Sequence, residues 1–252
     1  MKRHEFITLI DDLLLPNTLS DYCPNGLQVE GSVEINKVIT GVTASQALID
    51  EAIKRGADCI LVHHGYFWKG ESQTITGLKK RRIKSLLMHD INLLAYHLPI
   101  DVHPELGNNA QLGRLLQVTN IQCHPSLTPS GIVMWGELAA AVDAISFKKL
   151  IASVLQREPL HVSASSNKSI KKVAWCTGGG QGYIDACVEL GVDAFISGEI
   201  SEQTTHSARE LDIHYFAAGH HATERYGVKA IGEYLSRISG VDVEFVDIPN
   251  PA

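Results

Sequence analysis

The stretch Lys37–His64, KVITGVTASQALIDEAIKRGADCILVHH, can be laid without gaps on Lys172–Glu199, KVAWCTGGGQGYIDACVELGVDAFISGE. Lys37/Lys172, Val38/Val173, Ile49/Ile184, Asp50/Asp185, Gly56/Gly191 and Asp58/Asp193 are identical pairs. Each copy reads as a strand, a turn, a helix closed by a glycine, and a second strand that is apolar throughout. The likeness continues outward. Upstream, FITLIDDLL from Phe6 matches FKKLIASVL from Phe147 as an F-x-x-L-I helix. Downstream, DINLLAYHLP from Asp90 matches DIHYFAAGHH from Asp212, a further apolar strand after a helical stretch. Strands without polar alternation, separated by helices, imply sheets covered on both faces. The chain is therefore expected to be α/β, with two related three-layer units, largely parallel sheets and one plan used twice. The Pro- and Ser-rich HPSLTPSG at His124–Gly131 is the expected seam. That places the first unit at residues 1–126 and the second at 127–222. The final helix, near Thr223–Ser239, and the strand VDVEFVDI are expected to return to the first unit.

Composition narrows the function classes. The 252 residues are 44% hydrophobic and 20% charged, an ordinary globular balance. A net charge of −6 disfavours nucleic acid as a partner. The five cysteines are odd in number, widely spaced and without a CxxC pair, which argues for buried free thiols in a reducing compartment. The opening MKRHEFITLIDDLLL is interrupted by Asp11 and Asp12 and has helical spacing, unlike a signal peptide. No run reaches the roughly 18 apolar residues of a membrane span. The expectation is a cytoplasmic protein.

The apolar strand of the first copy ends on His63-His64. Neighbouring side chains on a strand point to opposite faces, so both imidazoles can work together only where the chain leaves the sheet. Of twelve histidines, five (His63, His64, His97, His220 and His221) lie at or just past such a strand end. Acids accompany them: Asp101 follows His97 by four residues, and Glu224 follows His220 by four, a spacing that shares a helical face. Ligands of open α/β sheets sit beyond the carboxyl ends of the strands. Imidazole with carboxylate and no thiolate suits zinc, iron, manganese or nickel. Two carboxylates among several histidines can bridge two ions, and adjacent His63 and His64 can each serve a different one. A single strand-end histidine is usually a hydrogen-bonded loop residue; the grouping argues otherwise. No GxSxG elbow supports a catalytic triad instead.

DYCPNGLQVEG, ILVHHGYFWKG, AYHLPID, SGEISEQTTH and AAGHHATERYG together resemble the Nif-three-like proteins, in order along almost the whole chain. Bacterial members carry the label "GTP cyclohydrolase type 2 homologue". The resemblance implies two related α/β domains with a dinuclear metal centre between them, assembled as a toroidal homohexamer. It implies His63, His64, Asp101, His220 and Glu224 as ligands of two divalent transition-metal ions, with His97 and His221 in supporting places.

Further features carry two readings each. CTGGGQGYID (Cys176–Asp185) is either a phosphate cradle at Gly178, Gly179 and Gly180 or a plain tight turn. Glu199, the duplicate's counterpart of His64, is a candidate general acid or base, as are His97 and, at longer reach, His206. The segment Tyr66–Gly77 is long enough for a lid in which Phe67 and Trp68 stack on a base and Lys69 meets a phosphate; a subunit contact is the alternative. The run KKRRIK at Lys79–Lys84 reads as a solvated helix face, with anion attraction as the alternative. The leading expectation is a metal-dependent hydrolase of a nucleotide-like or phosphorylated small molecule. A non-catalytic metal carrier or ring-shaped adaptor is the opposing one.

Overall fold

A computed structural model describes residues 1–166 and 168–252. Its first elements are α1 (Arg3–Leu14), β1 (Gly26–Val29), β2 (Lys37–Thr43), α2 (Gln46–Lys54), β3 (Cys59–His64), α3 (Gly77–Met88), β4 (Asn92–Ala95) and α4 (Leu98–Val102). There follow α5 (Asn108–Leu115), β5 (Thr119–Cys123), β6 (Met134–Val142), α6 (Ala144–Leu155), β7 (Leu160–Val162) and β8 (Ile170–Cys176). A 3-10 helix (Gln181–Leu190), β9 (Ala194–Ser197), α7 (Glu202–Glu210), β10 (His214–Ala217), α8 (His220–Ser239) and β11 (Asp242–Phe245) complete the order.

The two copies of the repeat build the centres of two sheets. The first runs β1-β4-β3-β2-β11 and is parallel except for β1. The second runs β5-β6-β8-β9-β10-β7, with β8, β9 and β10 parallel. Val38 registers with Cys59 in one sheet and Val173 with Ala194 in the other, the same 21-residue offset. The identical aspartates explain part of this. Asp58 Oδ2 accepts the N–H groups of Asn36 (2.8 Å) and Lys37 (3.0 Å), and Asp193 Oδ2 accepts those of Lys171 (2.9 Å) and Lys172 (2.8 Å). Each carboxylate thus fixes where the neighbouring strand begins. An antiparallel edge strand closes both sheets on the same side of the plan, β1 on β4 and β7 on β10.

Both faces of the first sheet are covered. Ile39, Ile60 and Leu93 pack with Leu48 and Ile49 of α2 and Leu86 of α3. On the opposite face Gly232 of α8 lies so near that an added Cβ would stand 2.9 Å from Thr40 Cγ2, and Tyr96 donates its hydroxyl to Asp11 of α1 at 2.6 Å. In the second unit, Val173, Trp175 and Ile196 pack with Leu112 of α5 and Phe147 and Ile151 of α6.

Three expectations change. The second sheet is mixed rather than largely parallel, because β5 and β6 pair antiparallel with each other and β6 with β8; these strands need no crossover helix. The chain divides into Met1–Ile100 with Gly227–Pro249, and Asp101–Tyr226 with Asn250–Ala252. The expected seam at His124–Gly131 therefore falls inside the second unit, since β5 hydrogen-bonds to its sheet and Leu112 and Leu116 sit in its core. The terminal strand β11 pairs with β2 in the first sheet. Finally, the helix of the second copy is 3-10, not α, in a stretch that opens on glycines at 178, 179, 180 and 182, poor helix formers. Four cysteines are buried thiols, but Cys123 is exposed. Among the described residues no helix is long and apolar enough to cross a membrane.

Candidate metal centre

Each unit carries a cluster of ligand-type side chains. In the first, β3 delivers His63 and His64 and the end of β4 delivers His97; each offers a ring nitrogen within 4.8 Å of the others. His63 is fully buried, and its Nδ1 lies 3.3 Å from Tyr96 O. A carbonyl only accepts, so Nδ1 carries the hydrogen and Nε2 is left with the lone pair. His64 Nδ1 lies 3.1 Å from Thr43 Oγ1. The two rings of the doublet are 4.4 Å apart between centroids, at the end of β3.

His97 is set by a residue the sequence reading passed over. Asp21 Oδ1 accepts from His97 Nδ1 at 2.7 Å and from Tyr22 N at 2.6 Å, and Oδ2 accepts from Leu98 N at 2.9 Å and Asn25 Nδ2 at 3.0 Å. Burial alone would raise the Asp21 pKa; the hydrogen bonds from His97 and Asn25 outweigh it and hold it at about 2. The charged acceptor keeps the hydrogen on His97 Nδ1 and leaves a lone pair on Nε2. Cys23 lies beside this pair within ligand distance, but burial and the Asp21 charge push its thiol up to about 12. The signal for Asp21 was present in DYCPNG, as a motif whose first residue had no assigned role.

The structure packs Trp68 on the histidines and leaves Lys69 exposed. The Trp68 ring stands 4.9 Å from His97 and 5.9 Å from His64, and its Nε1 donates to Gly65 O at 3.2 Å. Phe67 packs against the first core, and Tyr66 is buried with its hydroxyl on Ala44 O. Lys69 is exposed, and its backbone N–H ties the segment to Tyr22 O at 2.6 Å. Aromatic anchoring fastens the segment down.

In the second unit α4 carries Asp101 and the first turn of α8 carries His220 and Glu224. α8 starts at His220, three residues before the expected Thr223, so the His220–Glu224 spacing is a helical one. Asp101 and Glu224 are 5% and 3% exposed, and their carboxylate oxygens come within 4.8 Å of each other. Asp101 Oδ1 accepts from Asn108 Nδ2 at 2.9 Å and Thr177 Oγ1 at 3.4 Å. Asn109 holds Thr177 in turn, accepting its N–H at 2.9 Å. Neither asparagine was singled out in the sequence, because buried amides serving a carboxylate leave no spacing signature. His220 Nε2 is 3.1 Å from Glu224 Oε2, and its Nδ1 is 2.7 Å from Glu199 Oε1. Burial pulls the His220 pKa down, but Glu224 and Glu199 override it and raise it to about 9. Cys176 stays a thiol: burial, then the charges of Asp101 and Glu224, push it well up.

Glu199, just past β9, meets His220. His206 is exposed on α7, and His221 is buried in the first turn of α8. Two glycines of the run Gly178–Gly180 are committed to close packing. Gly178 N–H is taken by Thr223 Oγ1 at 3.0 Å, and Gly180 leaves room for the Cys176 side chain. Gly178, at φ +62°, has no space for a side chain: an added Cβ would stand 2.0 Å from Glu224 Oε1. Gly178 and Gly180 thus clear room for the Glu224 and Cys176 side chains.

The donor sets fit divalent transition metals, since they offer imidazole and carboxylate and keep the neighbouring thiols protonated. Two buried carboxylates this close repel each other unless cations or protons intervene.

The family model described as Duf34/NIF3 (NGG1p interacting factor 3) matches residues 1–251. The chain belongs to the Duf34/NIF3 family. Over the full length of both chains it is 57% identical to a Haemophilus influenzae protein and 54% identical to one from Escherichia coli K12, each named "GTP cyclohydrolase 1 type 2 homolog". Among solved structures similar to this Duf34/NIF3 chain, "protein ybgI, unknown function" is 53% identical with a TM-score of 0.95, and TTHA1606 from Thermus thermophilus is 30% identical with a TM-score of 0.90. Both comparisons cover all of each chain.

Proposed function

We propose that this Duf34/NIF3 protein is a metal-dependent hydrolase of a nucleotide-like or phosphorylated small molecule, with two divalent transition-metal ions on His63, His64, Asp101, His220 and Glu224. The observation that carries the reading is the pair of buried carboxylates, Asp101 and Glu224, with oxygens within 4.8 Å of each other beside His220. The relatives' name, a cyclohydrolase homologue, points to nucleotide-like substrates. A homohexamer is the assembly we propose with it.

Two bound ions would acidify a water and polarise the bond it attacks. The chain's own residues then manage protons and order. Asp21 keeps His97 with Nδ1 protonated, so that Nε2 accepts a proton from the attacking water. Glu199 holds His220 through Nδ1 and fixes which nitrogen faces Glu224. Trp68 shields the histidines from bulk water on one side.

Metal analysis of the purified chain tests the ligands: close to two ions per chain are expected, and Glu224→Ala should lose most of them. Full metal retention in that variant sinks the assignment. The metal-loaded protein, screened against nucleotides, phosphomonoesters and phosphodiesters, should turn over at least one class, and His64→Ala should abolish it. Bound metal with no turnover would make the protein a carrier.

A further inference from the structure

The segment between β3 and α3 borders a half-open cavity of about 240 Å³ whose wall includes Tyr66, Thr74, Thr76, Lys79 and Arg82. Its two cations differ in circumstance. Lys79 Nζ lies 3.3 Å from Glu71 Oε1, donates to Ser72 O at 3.0 Å and stands 4.6 Å over the Phe67 ring. Glu71, also in the wall, is occupied on its other oxygen by the Trp68 N–H at 3.1 Å. These two charges cancel. Arg82 has no such partner at Nε, which is buried without a hydrogen bond among the described residues. Arg82 is half-buried, so its Nε–H lacks an acceptor while the rest of its planar fork, whose shape matches an oxyanion, stays within reach of solvent.

Two further facts point the same way. Thr76, the residue preceding α3, makes no side-chain capping bond and lines the same cavity, which places the amino end of a twelve-residue helix beside Arg82. The turn from β3 to α3 also lies at the carboxyl end of a parallel strand, where α/β folds take phosphates. The cavity shares its loop with the histidine cluster: Tyr66 is the second residue after His64, and Trp68, whose N–H Glu71 holds, packs against His97.

We propose that this cavity is an anion subsite for the phosphate group of a small molecule, anchored by Arg82. The proposal rests on the reading of the protein as acting on phosphorylated compounds and names where that phosphate goes. It reassigns the role that the sequence suggested for Lys69 and for Gly178–Gly180.

Inorganic phosphate titrated against the full-length chain by equilibrium dialysis tests it, with melting temperature as a second readout. Saturable binding is expected in the wild type and in Glu224→Ala. Arg82→Gln should weaken it about tenfold or more, the scale of a lost charge-assisted hydrogen bond, and Arg82→Lys should fall between. Unperturbed melting of ligand-free Arg82→Gln guards against misfolding; if it melts early, Thr76→Val, expected to weaken binding several-fold, takes its place. Binding that vanishes in Glu224→Ala but survives in Arg82→Gln would assign the phosphate to the metal ligands and overturn the subsite, leaving the hydrolase reading intact. No saturable binding in the wild type overturns it as well.

Discussion

Glycine 178 is where the smallest side chain has the largest consequence. Its φ of +62° and the 2.0 Å approach of Glu224 Oε1 to any added Cβ mean that a side chain here strains the backbone and pushes the carboxylate aside. Gly178→Ala should therefore displace Glu224, cost about 1–3 kcal/mol of stability on the usual scale of backbone strain, and lower metal content toward that of Glu224→Ala. Metal analysis and a denaturant midpoint check both parts; normal metal content would show that the carboxylate does not need the turn. Asp21 yields a prediction in pH. Its folded pKa, about 2, is below the unfolded value near 3.9, so it binds its proton more readily when the chain is unfolded. The resulting stability is complete above about pH 4 and is lost as pH falls through about 2. Its side chain is 4% exposed, so little screening applies. Asp21→Asn should lose about 2 kcal/mol at pH 7 and almost nothing relative to wild type near pH 2. Denaturant unfolding across that range tests it, and a loss independent of pH would mean that shape, not charge, holds the loop.

At the scale of elements, what could be read from the sequence divides by whether the signal is local. The strand of Cys59–His64 and the parallel core of each sheet were legible because buried strands carry an uninterrupted apolar run. Asp58 and Asp193 were visible as identical letters, although their task of receiving two backbone N–H groups at the next strand's start was not. β5 and β6 were missed: β5 is largely exposed, and β6 turns outward in its second half, so neither shows a buried run. The site divides likewise. Imidazoles and acids at strand ends announce themselves by spacing, and the groups that aim them, Asp21, Asn108 and Asn109, come from loops and helices elsewhere in sequence. The segment after His64 reads as a lid because it is long and aromatic; that Tyr66 and Phe67 pack on the core and Trp68 on the histidines has no local signal in the sequence.

For the whole molecule, the division of the chain decides what can be removed. The first unit is assembled from two separate stretches, Met1–Ile100 and Gly227–Pro249, and α8 begins in one unit and ends in the other. Cutting after Tyr226 would leave the repeat intact by sequence but strip the first sheet of β11, paired with β2 from Lys37 to Thr40. It would also remove Val228, Ile231 and Leu235, all fully buried. At about 1.5–3 kcal/mol for each such side chain, the loss is on the scale of a domain's entire stability of about 5–15 kcal/mol. β2 would become a bare apolar edge, open to pairing with other chains. The truncated protein should therefore aggregate on expression, and whatever stays soluble should exchange the amides of β2, β3 and β4 far faster than the full chain does. Hydrogen exchange read by mass spectrometry decides the matter: protection of Lys37–Thr43 at full-length levels would mean that the first sheet stands without its C-terminal strand, and that its unit is continuous after all.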